Sequence, residues 1–305
     1  MPPHPPARSP RTEPPGPADE SLPLVRLGQG DFTRDLRAED LRDLRAEGLD
    51  PHHPKNGATM SLLDSVITTT TPAPPKILVY GTPGVGKTTF AASAGALLLD
   101  CENGAGAVPG LTRTPFLKSW PEVQAWLAEI EAKPPEGLGA VAIDTLDWLV
   151  QRIVEYVVMD LDKKSKGEVT NTLSSAHGGY FKAREIVNNI VSRDLLPLLN
   201  AITDRGIAVI LLAHAANTKI TTPEGYDVRL AAPDIPQWIA PTFVEWADAV
   251  LFASRETTGE RVLTTEGTSN VTAKNRYGLP PKVGLSWKDL SDAIQQGLER
   301  QSAGT

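Results

Sequence analysis

The sequence predicts one α/β domain over residues 76–305, a mainly parallel sheet with helices on both faces and a C-terminal antiparallel extension. Two observations predict it. From Lys76 onward, short and almost continuously apolar strands alternate with segments of helical periodicity. Strands without polar alternation are typical of parallel sheets that are buried on both faces. The last strands follow each other without helices, which indicates the antiparallel extension.

The chain before this domain has a different composition. Of the 27 prolines, 14 fall in residues 1–75, and the motif RDLRAE occurs twice, at Arg34–Glu39 and Arg42–Glu47. Residues 1–59 are therefore expected to be a disordered, proline-rich and charged extension, and residues 60–75 a tether. We also hypothesise that translation in the cell begins at Met60, because the codons of residues 57–59 can hold a bacterial ribosome-binding sequence.

Each element of the domain has its own pattern. Strands are predicted at Lys76–Tyr80, Leu97–Cys101, Ala140–Ile143 and Ile207–Ala213, and closing strands at Asp248–Ala253, Arg261–Thr265 and Asn270–Lys274. Helices are predicted from Lys87 to about Ala96, at Ser119–Ala132, after the third strand through Trp148, Ile153 and Val157, and at Tyr180–Thr203.

Composition narrows the function classes. The net charge of −7, from 30 basic and 37 acidic residues, argues against a broad non-specific nucleic-acid coat but leaves room for a local basic loop. No apolar stretch approaches the ~20 residues that cross a bilayer, so no membrane role is expected. The single cysteine, Cys101, cannot form an internal disulfide. A cytoplasmic setting is the simplest expectation.

A phosphate-binding loop follows the first strand. Residues 81–88, GTPGVGKT, match G-x-x-x-x-G-K-[ST] between a strand and a helix. Glycines let backbone N–H groups surround a phosphate, Lys87 reaches the β- and γ-phosphates, and the Thr88 hydroxyl binds Mg²⁺. ATP and Mg²⁺ are therefore the expected ligands. The nucleotide-binding residues are predicted to be Gly81, Thr82, Pro83, Gly84, Val85, Gly86, Lys87, Thr88 and Thr89.

A second magnesium residue is expected at the end of a later strand. Four apolar residues precede Asp144, which suits a carboxylate that holds Mg²⁺ through water. The alternative is an ordinary helix N-cap, a position where aspartate is common.

The second strand ends Asp100-Cys101-Glu102, and this D-x-E resembles the RecA-like ATPases, more closely the short phage-encoded ATPases of the Sak group. The resemblance, over residues 76–280, implies action on single-stranded DNA in recombination and annealing. It also implies that Glu102 is the catalytic glutamate that polarises the attacking water. The alternative is a solvated loop acid.

Two further matches extend the resemblance. His214 ends the fourth predicted strand, where RecA-like proteins carry a γ-phosphate sensor, usually glutamine; a structural histidine is the alternative. Lys274 and Arg276 resemble the K-x-K or K-x-R element whose cations reach a neighbouring subunit's nucleotide. That interpretation implies a homo-oligomer, a ring or a filament, whereas a basic surface hairpin is the alternative.

Two long insertions fall where RecA-like folds place DNA-binding loops, at Asp162–Gly179 and Asn217–Pro241. Basic side chains neutralise phosphates and aromatic rings stack on bases, although each residue could equally be solvated or packed on the domain. The candidate contacts to single-stranded DNA are Lys163, Lys164, Lys166, Tyr180, Lys219, Arg229 and Trp238.

The function predicted from the sequence is therefore DNA-stimulated ATP hydrolysis in phage-type recombination or annealing. A helicase-type motor or loader on the same core is one alternative. A nucleotide-gated binding protein with negligible turnover is the other.

Overall fold

The computed structural model describes residues 72–161, 172–221, 225 and 227–303 of the 305-residue chain. Nine strands of this described part form one sheet in the order β2-β3-β4-β1-β6-β7-β9, with β5 paired to β4 and β8 paired to β6. The strands are β1 (Lys76–Gly81), β2 (Leu97–Asp100), β3 (Ala140–Asp144), β4 (Ala208–Thr221), β5 (Asp227–Pro233), β6 (Ala249–Arg255), β7 (Arg261–Thr264), β8 (Lys274–Asn275) and β9 (Lys282–Gly284).

The sheet has a parallel half and an antiparallel half. Strands β2, β3, β4, β1 and β6 pair in parallel, whereas β5, β7, β8 and β9 pair antiparallel. The predicted fold class is therefore confirmed, including the C-terminal antiparallel extension.

Helices cover both faces. They are α1 (Lys87–Ser93), α2 (Trp120–Ala132), α3 (Leu146–Glu155), α4 (Lys182–Ile190), α5 (Leu196–Asp204), α6 (Ala240–Trp246) and α7 (Trp287–Ala303). Alternate residues of β1 enter two separate hydrophobic clusters: Leu78 and Tyr80 pack with α2 to α6, and Ile77 and Val79 pack with α1 and α7. Because both sets are fully buried, the sheet is a central layer, as its apolar strands predict. No helix in the described ranges is long and apolar enough to cross a membrane.

The register brings the ends of the parallel strands to one edge. Gly81 at the end of β1 lies between His214 on β4 and Ala253 on β6. Asp100 at the end of β2 lies beside Asp144 at the end of β3. Ligands of open α/β sheets bind at this carboxyl edge, and the candidate site lies there.

The predicted helix Tyr180–Thr203 differs in detail. It begins at Lys182, and a π-helical turn, Val191–Leu195, separates α4 from α5. Pro197 lies in the first turn of α5 and cannot donate a backbone hydrogen bond, which accounts for the wider turn before it.

The insertion at Asn217–Pro241, expected as a loop, is largely regular in the part that the structure describes. Strand β4 runs on to Thr221 and pairs with β5 as a hairpin. Where the structure describes their burial, most residues of the hairpin are partly or fully exposed, so its sequence lacks the apolar alternation of a packed strand. The closing strand predicted at Asn270–Lys274 is also shorter, since only Lys274 and Asn275 pair with β6.

Candidate active site

The phosphate loop is shaped by two glycines that adopt conformations unfavourable to other residues. Gly84 has φ 75° and Gly86 has φ 115°, and α1 begins directly after Gly86. Gly81 is required for a different reason: a Cβ there would lie 2.5 Å from the carbonyl oxygen of Ala253 on the adjacent strand. The loop therefore depends on glycine for its turn and for its contact with β6.

Lys87 lies across this loop. Its ammonium donates hydrogen bonds to the carbonyl oxygens of Gly81 at 3.0 Å and Thr82 at 3.3 Å, and the side chain is buried. Burial lowers the pKa of Lys87, and nearby carboxylates, Asp144 first, oppose that shift. A poorly solvated cation held by the loop suits an anion such as a nucleotide phosphate.

Thr88 and Asp144 meet at the start of α1. The Thr88 hydroxyl donates to Asp144 Oδ2 at 2.8 Å, and Asp144 is 5% exposed. Burial raises the Asp144 pKa to about 6, while the Thr88 hydrogen bond opposes the shift. The cap of α3 is Thr145, so the Asp144 side chain contacts the phosphate-loop helix rather than capping its own.

This pair fits the chemistry of Mg²⁺. A hydroxyl and a carboxylate are hard oxygen ligands, and a buried carboxylate gains most from a nearby cation. Within the described ranges, no group of three or more histidine, cysteine, aspartate or glutamate side chains could hold a metal alone. Nucleotide phosphate oxygens and water would supply the other ligands of the ion.

Glu102 stands beside this pair because the turn after β2 is tied to β3. The backbone N–H groups of Cys101 and Glu102 donate to the Asp144 carbonyl at 2.8 and 3.2 Å. Asp100 has a structural role, since it accepts from Arg113 at 3.1 Å and from the Asn103 backbone N–H at 2.7 Å. Of the two carboxylates in D-x-E, only Glu102 remains partly exposed, with 32% of its side chain accessible.

His214 closes the site from β4. Its Nδ1 lies 2.8 Å from Asp147 Oδ2, its backbone N–H donates to Asp147 Oδ1 at 3.0 Å, and its Nε2 lies 3.6 Å from Glu102 Oε1. The structure therefore brings together five predicted site residues at one edge of the sheet. They are Lys87, Thr88, Asp144, Glu102 and His214.

Comparison with known proteins identifies the family. A family described as "AAA domain" matches residues 73–277, two thirds of the chain. The chain belongs to the AAA-domain family. The AAA domain has the α/β fold of P-loop nucleoside triphosphatases.

Among solved structures, the AAA domain is similar to one whose title describes it as an ATPase domain, with 14% identity and a TM-score of 0.38. The match covers 70% of this chain and 82% of that one. No curated protein was found to match the sequence.

The sequence patterns do not identify two residues that the structure brings to the site of the AAA domain. Asp147 follows Asp144 by three residues, and only the placement of β4 reveals its partner. Arg261 on β7 reaches the phosphate loop: its Nη1 lies 3.1 Å from the position that a Cβ on Gly86 would occupy. No sequence motif marks Arg261, because it comes near the loop only through the pairing of β7 with β6 in the antiparallel extension.

Lys274 and Arg276 lie elsewhere in the AAA domain. Lys274 Nζ donates to the carbonyls of Val244 at 2.6 Å and Glu245 at 3.1 Å, at the end of α6. Arg276 pairs with Asp248 at 2.9 Å and also donates to the Glu245 carbonyl. Both cations thus stabilise a helix C-terminus of their own chain, where positive charge is favourable.

The candidate DNA contacts fall on two surfaces. Lys219 and Arg229 are directly opposed on the exposed hairpin, and Lys219 forms an ion pair with Asp227 at 2.7 Å. Tyr180 is 92% exposed, whereas Trp238 is partly buried against the core. Lys163, Lys164 and Lys166 lie outside the described residues, as do the predicted extension 1–59 and most of the tether 60–75.

Proposed function

We propose that this AAA domain binds and hydrolyses ATP and acts on single-stranded DNA in phage-type recombination or annealing. The observation that carries the proposal is the convergence of a phosphate loop, a hydroxyl–carboxylate pair and a further carboxylate. Lys87, the pair Thr88–Asp144 and Glu102 share one sheet edge, and the charges of Asp144, Asp147 and Glu102 all act on the Lys87 ammonium.

Each group has a distinct role in this proposal. Backbone N–H groups of residues 81–88 and the Lys87 ammonium hold the β- and γ-phosphates. Thr88 and Asp144 hold Mg²⁺, which supplies positive charge against the phosphate oxygens. Glu102 accepts a hydrogen bond from the attacking water and so orients it toward the γ-phosphate, and His214 serves as the γ-phosphate sensor.

The hairpin of β4 and β5 supports the DNA-binding part. Lys219 and Arg229 are cross-strand neighbours and therefore point to the same face, where both are exposed. Like charges opposite each other destabilise a hairpin unless an anion offsets them. Asp227 offsets one of the two in this structure, and a phosphate backbone could offset both.

A second surface adds aromatic side chains. Tyr180 and Phe181, at φ 53° and 60°, are 92% and 57% exposed. The Arg184 guanidinium lies 4.4 Å from the Phe181 ring centroid and 5.7 Å from that of Trp238. Exposed rings beside a stacked guanidinium suit sequence-tolerant binding of single-stranded bases. Left-handed backbone at two bulky residues has an energetic cost that a binding role would explain.

Action between subunits is the proposed reason for Lys274 and Arg276. Strand β8 pairs with Ala249 and Val250, whereas Ala253 adjoins Gly81 and the phosphate loop. The backbone of Lys274 therefore lies about 10 Å along the sheet from the level of Gly81, and that of Arg276, beside Asp248, about 17 Å. The Arg276 side chain is 56% exposed, so a homo-oligomer could place it at a neighbouring nucleotide.

ATP hydrolysis measured with and without single-stranded oligonucleotides tests the proposal. We expect stimulation by DNA, loss of nucleotide binding and turnover in Lys87→Ala, and retained binding with a loss of about 10²-fold or more in turnover in Glu102→Gln. Lys133→Ala removes an exposed lysine at the end of α2 and should behave as wild type. Wild-type turnover in Glu102→Gln would remove Glu102 from the mechanism, and absence of both DNA binding and stimulation would refute the DNA role.

Mixing variants tests the assembly. Arg276→Ala should bind ATP normally but lose DNA-stimulated hydrolysis, and adding Glu102→Gln protein should partly restore it, because mixed interfaces pair an intact Arg276 with an intact Glu102. Failure of restoration in assemblies that light scattering shows to be mixed would assign Arg276 to the α6 contact alone. Strand-displacement assays separate the proposal from a helicase-type motor, which would unwind duplexes progressively.

A further inference from the structure

We infer that Asp147 is a positioning residue of the hydrolytic site, which fixes the ring of His214 so that Nε2 faces Glu102. The inference deepens the proposed ATPase function and rests on it. It assigns a role to a carboxylate that neither holds the phosphates nor binds Mg²⁺ in the proposed function.

Asp147 holds His214 at two points. One carboxylate oxygen accepts the His214 backbone N–H at 3.0 Å, and the other lies 2.8 Å from ring Nδ1. Two contacts from one carboxylate to one residue restrict both the end of the strand and the rotation of the imidazole. The Asp147 side chain is 16% exposed and that of His214 is 21% exposed, so water competes little for either contact.

The geometry also selects a tautomer. An ionised carboxylate only accepts hydrogen bonds, so Nδ1 must carry the proton that bonds to Asp147. Nε2 is then the nitrogen directed at the site, 3.6 Å from Glu102 Oε1. That nitrogen can accept a hydrogen bond from water shared with Glu102. The position of Asp147 thus decides which ring nitrogen meets Glu102.

The elements explain why this contact is available. Asp147 lies in the first turn of α3, which follows β3 and its last residue Asp144, and His214 lies directly beside Gly81 in the β1–β4 pair. The magnesium residue, the phosphate loop and the Asp147–His214 contact are therefore joined through adjacent backbone. A change in the orientation of the His214 ring would alter its contact with Glu102, which neither Lys87 nor Thr88 makes.

Asp147→Asn is the discriminating variant. The Asn oxygen would still accept the hydrogen bond from the His214 backbone N–H, so the amide NH₂ would face Nδ1. Nδ1 must then accept, and the proton moves to Nε2, so the tautomer is inverted with almost no change in shape. Carboxylates that orient metal-binding histidines through the other ring nitrogen typically contribute about 10- to 100-fold to activity, and the Asp147–His214 contact has the same form. We expect a fall of that size in kcat with the Kd for ATP unchanged.

The experiment combines kinetics with ¹⁵N NMR of the full-length, histidine-labelled protein, in which the spectrum of His214→Gln identifies the His214 signals. Glu122→Gln is the matched control, because Glu122 also accepts a backbone N–H, that of Lys118 at 2.8 Å, in the first turn of a helix. An inverted tautomer and reduced kcat in Asp147→Asn, with neither in Glu122→Gln, would support the inference.

Failure of the positioning role can be distinguished from failure of the proposed ATPase function. Unchanged His214 signals, or wild-type kcat in Asp147→Asn, would overturn the positioning role while leaving the ATPase proposal intact. If the wild-type chain does not hydrolyse ATP, the proposed function fails, and with it the role of Asp147 in hydrolysis.

Discussion

Replacing Asp144 with asparagine should stabilise the free protein while removing its magnesium ligand. The side chain is 5% exposed, and burial raises its pKa from 3.8 to about 6. At about 1.4 kcal/mol for each tenfold change in proton affinity, holding this carboxylate ionised costs about 3 kcal/mol. Asparagine avoids that cost and can still accept the Thr88 hydrogen bond.

The sign of the pH dependence follows from linkage. The folded state binds the Asp144 proton more tightly than the unfolded state does, so this group's contribution to stability declines as pH rises from about 4 to above 6. Asparagine does not titrate. The stability difference between Asp144→Asn and wild type should therefore be largest above about pH 7 and close to zero near about pH 4.

Urea unfolding at several pH values, in EDTA and without nucleotide, measures this difference. Asp100→Asn is the matched control: Asp100 lies beside Asp144 in the β2–β3 pair but forms an ion pair with Arg113, so its loss should destabilise. An Asp144→Asn protein that is less stable than wild type at about pH 8, or a difference that does not vary with pH, would refute the reasoning.

Three further outcomes are expected. Gly86→Ala should lose nucleotide affinity in a titration with labelled ATP, because φ there is 115° and strain of this kind costs about 1–3 kcal/mol; Gly139→Ala, which meets no atom within 4 Å, should not. Exchanging both Lys219 and Arg229 for glutamate should weaken the binding of single-stranded DNA. The slope of the logarithm of the binding constant against the logarithm of salt concentration should become shallower by about 0.7 for each lost phosphate contact, and an unchanged slope would exclude the hairpin from binding. Gly297→Ala should lower the free energy of unfolding by about 1–3 kcal/mol without altering ATP affinity, since its Cβ would overlap a backbone carbonyl of the facing loop; wild-type stability would contradict that packing.

The parts of the site that sequence reasoning predicts are those encoded locally. The glycines of residues 81–86, Lys87 and Thr88 form one continuous motif, and Asp144 and Glu102 each end a recognisable apolar strand. Parallel strands bring such ends together, so local patterns suffice to place them at one edge.

The parts that sequence reasoning missed depend on tertiary placement. Asp147 has a partner only because β3 and β4 are neighbours in the sheet, and Arg261 reaches Gly86 only because the antiparallel strands fold back. The hairpin was missed for another reason: its strands have solvent on much of their surface and carry no core-facing pattern. The periodic pattern of apolar residues arises from packing on the core, so it is weak in a segment that lies outside the core.

The unbroken course of β4 has a mechanical consequence. The strand is bonded to β1 and β3 in its first half and to β5 in its second, and His214 and Lys219 lie on it about 17 Å apart. Sliding by one residue would break both ladders and exchange the two faces of the strand. A motion of the hairpin can therefore reach the nucleotide edge only by twisting or bending β4, and the Asp147–His214 contact lies where β4 passes from the parallel sheet into the hairpin.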